Sequence, residues 1–259
     1  MNKIMTRDKK EVIFSFTISQ SNVTLHEPVF VNFSVHNKLL ESIRLDLGHN
    51  RKSNFEFTIT EPDGSIISGQ HLGEEGFGRV GDISLEPSEE YSQRLLVNEW
   101  YQFIEPGNYN IEIRLTKPLI ALSGALVEHG SSGTLSLRIH PRDPKRLSLV
   151  CQDLYRVAIE SSNVEEATEA ALALSYVSDP VAISYLEKGL KETILMWPYA
   201  IPGLARIANA EAIEILVSTM KSKDPELGAS LARFILQDLR KRIDNLELKE
   251  KIERALQTN

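Results

Sequence analysis

Along the first 140 positions apolar residues tend to alternate with polar ones; after residue 140 they recur at every third or fourth position. Alternation sends successive side chains to opposite faces of a strand, whereas a step of three or four keeps them on one face of a helix. Val29, Val31, Phe33 and Val35 alternate with Phe30, Asn32 and Ser34, and Tyr109, Ile111, Ile113 and Leu115 alternate with Asn110, Glu112 and Arg114. This pattern predicts strands at 12–19, 29–36, 43–47, 55–60, 83–85, 91–97, 109–116 and 134–140. Glu61-Pro62-Asp63-Gly64 and Glu105-Pro106-Gly107-Asn108 supply turns between them. Short strands at such spacing predict an antiparallel β-sandwich.

In the second half Leu147, Val150, Leu154, Val157 and Ala158 fall on one helical face. Helices are predicted at 144–160, 164–178, 180–192, 199–208, 210–221, 225–242 and 245–257. Asp143-Pro144, Asp179-Pro180 and Asp224-Pro225 each place a capping acceptor before a proline, which has no amide to leave unpaired in the first turn. Asn163 and Glu166 have the spacing of a capping box. At an offset of 30, Leu174, Ala182, Ile183, Leu186 and Leu190 match Leu204, Ala212, Ile213, Leu216 and Met220. A helix pair cannot bury its apolar stripe alone, so such a repeat predicts stacked pairs sharing a core. The expected organisation is a flexible segment at 1–11, a sandwich at 12–140 and a helical repeat domain at 141–259.

Val23-Thr24-Leu25-His26-Glu27-Pro28-Val29, leading into Val31-Asn32-Phe33-Ser34-Val35-His36-Asn37, and the later stretch from Asn98 to Tyr109 carry a family resemblance. On these residues the front half resembles bacterial immunoglobulin-like sandwich domains. The resemblance implies that Tyr109, after Pro106-Gly107-Asn108, makes a corner hydrogen bond at the start of the penultimate strand. The inter-sheet cysteine pair of antibody domains is missing. The segments 171–191, 203–224 and 224–242 resemble HEAT or armadillo repeats, which implies extended surfaces for other proteins. Neither resemblance brings catalytic residues.

The chain has 259 residues, 29 Lys and Arg against 36 Asp and Glu, a net charge of −7 and 42% hydrophobic residues, the composition of a folded globular protein. The acidic balance argues against a nucleic-acid surface. One cysteine excludes an internal disulfide and a multi-thiolate zinc site. No apolar run approaches the roughly 20 residues of a membrane helix. The polar, basic start (Lys3, Arg7, Lys9, Lys10) lacks the apolar core of a signal peptide, so a cytoplasmic location is expected, with an exported form whose signal has been removed left open.

Chemistry is sparse. The six histidines lack the H-E-x-x-H spacing, Cys151 sits in a packed-looking helix, and G-x-S-x-G is absent. The glycine-rich stretch 73–81 lacks the Gly-Lys-Ser/Thr ending of a phosphate loop. No catalytic residue, cofactor or metal is therefore expected. Lys221-Ser222-Lys223 and Arg240-Lys241-Arg242 read as helix-end cations. Two long loops stand out as candidate partner-binding elements: 68–82, with Phe77 and Arg79, and 117–133, with Leu119, Ile120, Leu122 and Leu126. On the second helix of each repeat, Ser184, Glu187, Lys188, Lys191, Glu214, Ser218 and Lys221 are the outward positions, with Lys188 and Lys191 taken as contacts. The expected function is that of a non-catalytic adaptor binding another protein; the alternative is a proteinase-inhibitor-like module blocking a partner enzyme.

Overall fold

The alternating half folds as strands, described by a computed structural model over residues 12–69, 80–127, 132–222 and 226–257. They are β1 (Val12–Ile18), β2 (Asn22–Thr24), β3 (Phe30–Asn37), β4 (Ile43–Asp46), β5 (Phe55–Thr60), β6 (Ile66–Gly69), β7 (Asp82–Leu85), β8 (Glu90–Leu96), β9 (Gly107–Leu115), β10 (Leu119–Ala121), β11 (Leu126–Val127) and β12 (Ser132–His140). They lie in the orders β1-β3-β8, β11-β10-β4-β7 and β2-β12-β9-β5-β6, and every neighbouring pair other than β2 with β12 has an antiparallel register. The alternation of β9 is realised strictly: Tyr109, Ile111, Ile113 and Leu115 are buried, and Asn110, Glu112 and Arg114 face out. Phe33 on β3 meets Phe55 on β5 edge-on at 5.0 Å, so two of the sheets face one another across an apolar core. The result is an immunoglobulin-like antiparallel β-sandwich.

Four strands escape the pattern. β2, β6, β10 and β11 are two to four residues long, too short for a period of two to show. Two of them turn part of the expected 117–133 loop into a hairpin.

At the start of β9, Tyr109 is buried and its hydroxyl donates to the Glu105 carbonyl at 2.8 Å. This is the corner bond that the resemblance implies. Phe103 packs edge-on against Tyr109 at 5.1 Å and against Tyr101 at 5.0 Å, which fixes the ring that carries the hydroxyl.

The helical half forms α1 (Pro144–Glu160), α2 (Val164–Ser175), α3 (Ile183–Glu192), α4 (Trp197–Ile207), α5 (Ala210–Lys221), α6 (Glu226–Arg242) and α7 (Leu246–Gln257). Asp143 caps α1 by accepting from the Lys145 and Arg146 amides. Asp179 accepts from the Val181 amide, but Pro180–Ala182 open as a 3-10 turn before α3. Asp224-Pro225 lies outside the described residues. Asn163 caps α2 as expected, but the return half of the capping box is relayed: the Asn163 amide donates to Ser161 Oγ, which donates to Glu166 at 2.7 Å. α2 stops at Ser175, three residues short of its expected end. The Arg206 guanidinium takes the Ser175 carbonyl at 3.2 Å and lies 3.9 Å from the Tyr176 ring. A cation from another helix thus serves a carbonyl that further helix would otherwise use.

α2 packs on α4 and α4 on α6, while α1 packs on α3, α3 on α5 and α5 on α7, giving two rows. Of the ten matched residues nine are buried and Leu190 is half-buried. Gly203 lets α4 close on α2, because a Cβ there would stand 3.0 Å from Ser175 Cα.

By their contacts the residues fall into two units that differ from a single cut after residue 140. One runs up to Val23 and then from Val29 to His140; the other joins Thr24–Pro28 to Pro141–Asn259. Five residues preceding the third strand are therefore built into the helical unit.

Replacing Tyr109 by Phe keeps the ring and removes the corner bond. The sandwich is expected to lose about 1–2 kcal/mol, read from reduced hydrogen-exchange protection of the β9 amides. Unchanged protection would mean that the corner bond does not contribute.

Candidate functional site

In the sandwich, the hairpin of β10 and β11 ends its sheet among the described residues. Ile120 pairs with Arg44 on β4 and with Leu126 on β11. The Leu122 amide donates to the Ser42 carbonyl at 2.8 Å, and the Ser123 amide to the Glu41 carboxylate at 3.1 Å. Gly124, at φ +83°, turns the chain between the strands. Leu119, 2% exposed, and Ala121 point into the sandwich core. Ile120, Leu122 (80% exposed) and Leu126 (66% exposed) point out, joined by Leu40, two residues before the Ser42 carbonyl that holds Leu122. Of the four candidate residues in this loop, the structure places one inside and three on the surface. Phe77 and Arg79 lie outside the described residues.

In the helical unit, Glu187, Lys191, Glu214 and Ser218 line one groove of about 690 Å³, together with Leu190, Trp197 and Ile215. The groove lies where α3 hands over to α4 and α5 to α6. Trp197 is held there by its indole N–H, which donates to the Leu190 carbonyl at 3.0 Å, and Gly228 gives α6 room against the ring. Lys191 pairs with Glu187 at 2.6 Å, and Lys188 lies 5.4 Å from the centre of the Tyr155 ring. Exposed pairs of this kind contribute little to stability.

One dense polar cluster was not signalled by the sequence. Thr24–Pro28 turns back on itself within the helical unit: Thr24 Oγ1 donates to the Pro141 carbonyl at 2.7 Å and accepts from the Asp143 amide at 2.9 Å. Glu27, 5% exposed, accepts from the Thr24 amide at 2.9 Å and is gripped by Arg146 through Nε at 2.7 Å and Nη2 at 3.0 Å. Arg142 grips buried Asp179 in the same two-pronged way. His26, with φ 74°, sets Nδ1 3.0 Å from Ser178 Oγ.

A serine beside a histidine, with an aspartate next along the chain, invites a catalytic reading. The bonding argues otherwise, since the Asp179 carboxylate is engaged by Arg142 and by the Val181 amide. Burial alone would raise the Asp179 pKa, but these hydrogen bonds outweigh it and hold the carboxyl below its ordinary range. Cys151 is fully buried, and burial, with a smaller contribution from Asp179, pushes its thiol up to about 12, so it is no nucleophile near neutral pH. Among the described residues no three His, Cys, Asp or Glu groups converge on a metal position. Asp82 is occupied by Arg44 at 2.6 Å. Among the described residues no helix is long and apolar enough to cross a membrane.

Truncating Arg146 to Ala leaves the Glu27 carboxylate without its cation. The helical unit is expected to lose about 2 kcal/mol, less than for a wholly buried pair because Arg146 is partly in water. Urea unfolding followed by helical ellipticity measures this; a midpoint equal to that of the native chain would show that the pair is not needed.

No curated protein matches the chain. Among solved structures, a CARDB domain from Pyrococcus furiosus, in complex with di-metal ions, is 12% identical, with 50% of this chain and 88% of that one covered and a TM-score of 0.28. A Listeria innocua β-glucosidase in complex with isofagomine is 10% identical over 51% of this chain and only 16% of its own length, with a TM-score of 0.30. A sporulation control protein from Bacillus subtilis is 11% identical over 55% of each chain, with a TM-score of 0.28. Likeness at this level carries no inference about binding or activity. Residues 17–140, which run from the end of β1 to the end of β12, match the family model described as "Flagellar collar protein C, N-terminal domain".

Proposed function

We propose that this chain is a non-catalytic structural or adaptor component of a flagellum-associated assembly and that it works by binding another protein. The observation that carries this reading is the match of residues 17–140 to the flagellar collar protein model, which covers nearly the whole sandwich. The surface supports it. Leu40, Ile120, Leu122 and Leu126 expose apolar side chains in or near the β10–β11 hairpin, which ends its sheet among the described residues. Exposed apolar residues gathered at the end of a sheet mark a place where another chain is received. In the helical unit the stacked pairs act as a HEAT-like repeat, with Lys188 and Lys191 on its outward face as further contacts. Phe77 and Arg79, outside the described residues, remain proposed contacts.

Changing Leu122 and Leu126 together to Ser removes apolar surface without touching buried Leu119 or Ala121. The double variant is expected to keep its thermal unfolding midpoint. Tagged in the native cell, it should no longer co-purify with flagellar basal structures that retain the unmodified chain. If the unmodified chain fails to co-purify with them, and cells lacking it swim normally, the flagellar reading is wrong. If both forms co-purify equally, the hairpin edge is not the contact.

A further inference from the structure

We propose that the outer face of the α6–α7 pair docks against the same face of a second copy of this chain, so that two helical units join end to end about a two-fold axis.

Among the described helices α6 and α7 end the two rows. α6 packs inward on α4 and α5, and α7 on α5. The end of such a stack ordinarily carries a polar cap, because no further pair covers it. Here the outer side is not wholly polar. Phe234 on α6 is 66% exposed, and Leu246 at the start of α7 is 68% exposed. Helical steps of three and four set each of them in a polar stripe: Phe234 with Gln237 and Lys241, and Leu246 with Glu250, Glu253 and Gln257.

The two stripes meet at a pocket of about 380 Å³. Its α6 wall supplies Gln237, Arg240 and Lys241, and its α7 wall supplies Glu253, Leu256 and Gln257. Charge is thus sorted by wall, positive on α6 and negative on α7. Neighbouring charges are already answered. Arg242 pairs with Asp238 at 2.8 Å, Lys251 pairs with Glu214 at 2.5 Å, and the Arg254 guanidinium donates to the Glu250 carbonyl at 3.3 Å. Arg240, Lys241 and Glu253 line one pocket, yet among the described residues none of them is in an ion pair.

This sorting selects the occupant. A foreign acidic segment would be drawn to Arg240 and Lys241 but repelled by Glu250 and Glu253, and a basic one would meet the reverse. A second copy turned about a two-fold axis sets its Glu253 against Arg240 and Lys241, and its own two cations receive the first copy's Glu253. Each contact is then made twice, and Phe234 and Leu246 leave water in the same step. Registers that bring like charges together are disfavoured.

Sedimentation equilibrium of the full chain over a range of concentrations tests this, with helical ellipticity and thermal midpoint showing that each variant is folded. The native chain is expected to pass from monomer to dimer as its concentration rises. Arg240→Glu with Lys241→Glu sets carboxylates against carboxylates and is expected to weaken dimerisation about tenfold or more. Glu253→Lys, which sets cations against cations, is expected to do the same. Mixing these two variants in equal amounts restores a dimer, because each offers the sign that the other lacks. All three substitutions in one chain restore it without mixing. A native chain that stays monomeric at every concentration overturns the proposal, and the face then belongs to a different partner. So does a dimer that neither single-signed variant weakens, or one that neither the mixture nor the triple variant recovers.

Discussion

A buried carboxylate must be neutralised where it stands, and Glu27 sets that requirement for the start of the helical unit. Its side chain is almost wholly out of water, which would cost several kcal/mol if nothing answered it. Arg146 answers from the first turn of α1, and the Thr24 amide answers from three residues earlier. Both require Thr24–Pro28 to lie across the opening of that helix. Thr24 holds it there by using one hydroxyl twice, as donor to Pro141 and acceptor from Asp143. Asp143 then has its own carboxylate free to cap α1. The beginning of the helix, the return of the chain and the neutralisation of Glu27 are thus one arrangement, and none of the three persists unchanged if another is removed.

The sandwich depends on a different physics, the burial of alternate side chains. That is why its long strands are legible: β3, β5 and β9 announce themselves in sequence because one face of each is apolar, save Asn37 at the end of β3, and the other is not. The short strands are not legible, because two or three residues cannot display a period. The hairpin of β10 and β11 shows the consequence. Its run of apolar residues reads as a loop in need of cover, and in the structure the need is met half from within. Leu119 and Ala121 enter the core, and the residues between and beyond them remain outside. Pairing with β4 decides which residues fall on which side, and a pairing partner some 75 residues away leaves no mark on the local sequence.

In the helical unit, local signals were the reliable ones. Asp143, Asp179 and Asn163 bond the amides their positions suggest, because capping is settled within three residues. What the sequence could not show were the tertiary corrections to those signals. Arg206 ends α2 from a separate helix, and Ser161 interposes itself between Asn163 and Glu166. Likewise, four of the outward positions on α3 and α5 gather around Trp197. Helical periodicity places them on a common face; only the stacking of the pairs brings them to one groove.

The placement of His26 shows why the polar cluster stayed hidden while the apolar surface was partly found. An apolar side chain is read from its own spacing, since burial is a property of the face it lies on. A histidine among arginines and carboxylates acquires its chemistry from residues far away in the chain: Arg142, Arg146, Ser178 and Asp179. From sequence, His26 is one of six scattered imidazoles preceding a proline-led strand. Its left-handed backbone is the one local peculiarity, and even that is imposed by the contacts of its neighbours rather than by any preference of its own. Titratable chemistry in this protein is therefore a property of assembled neighbourhoods.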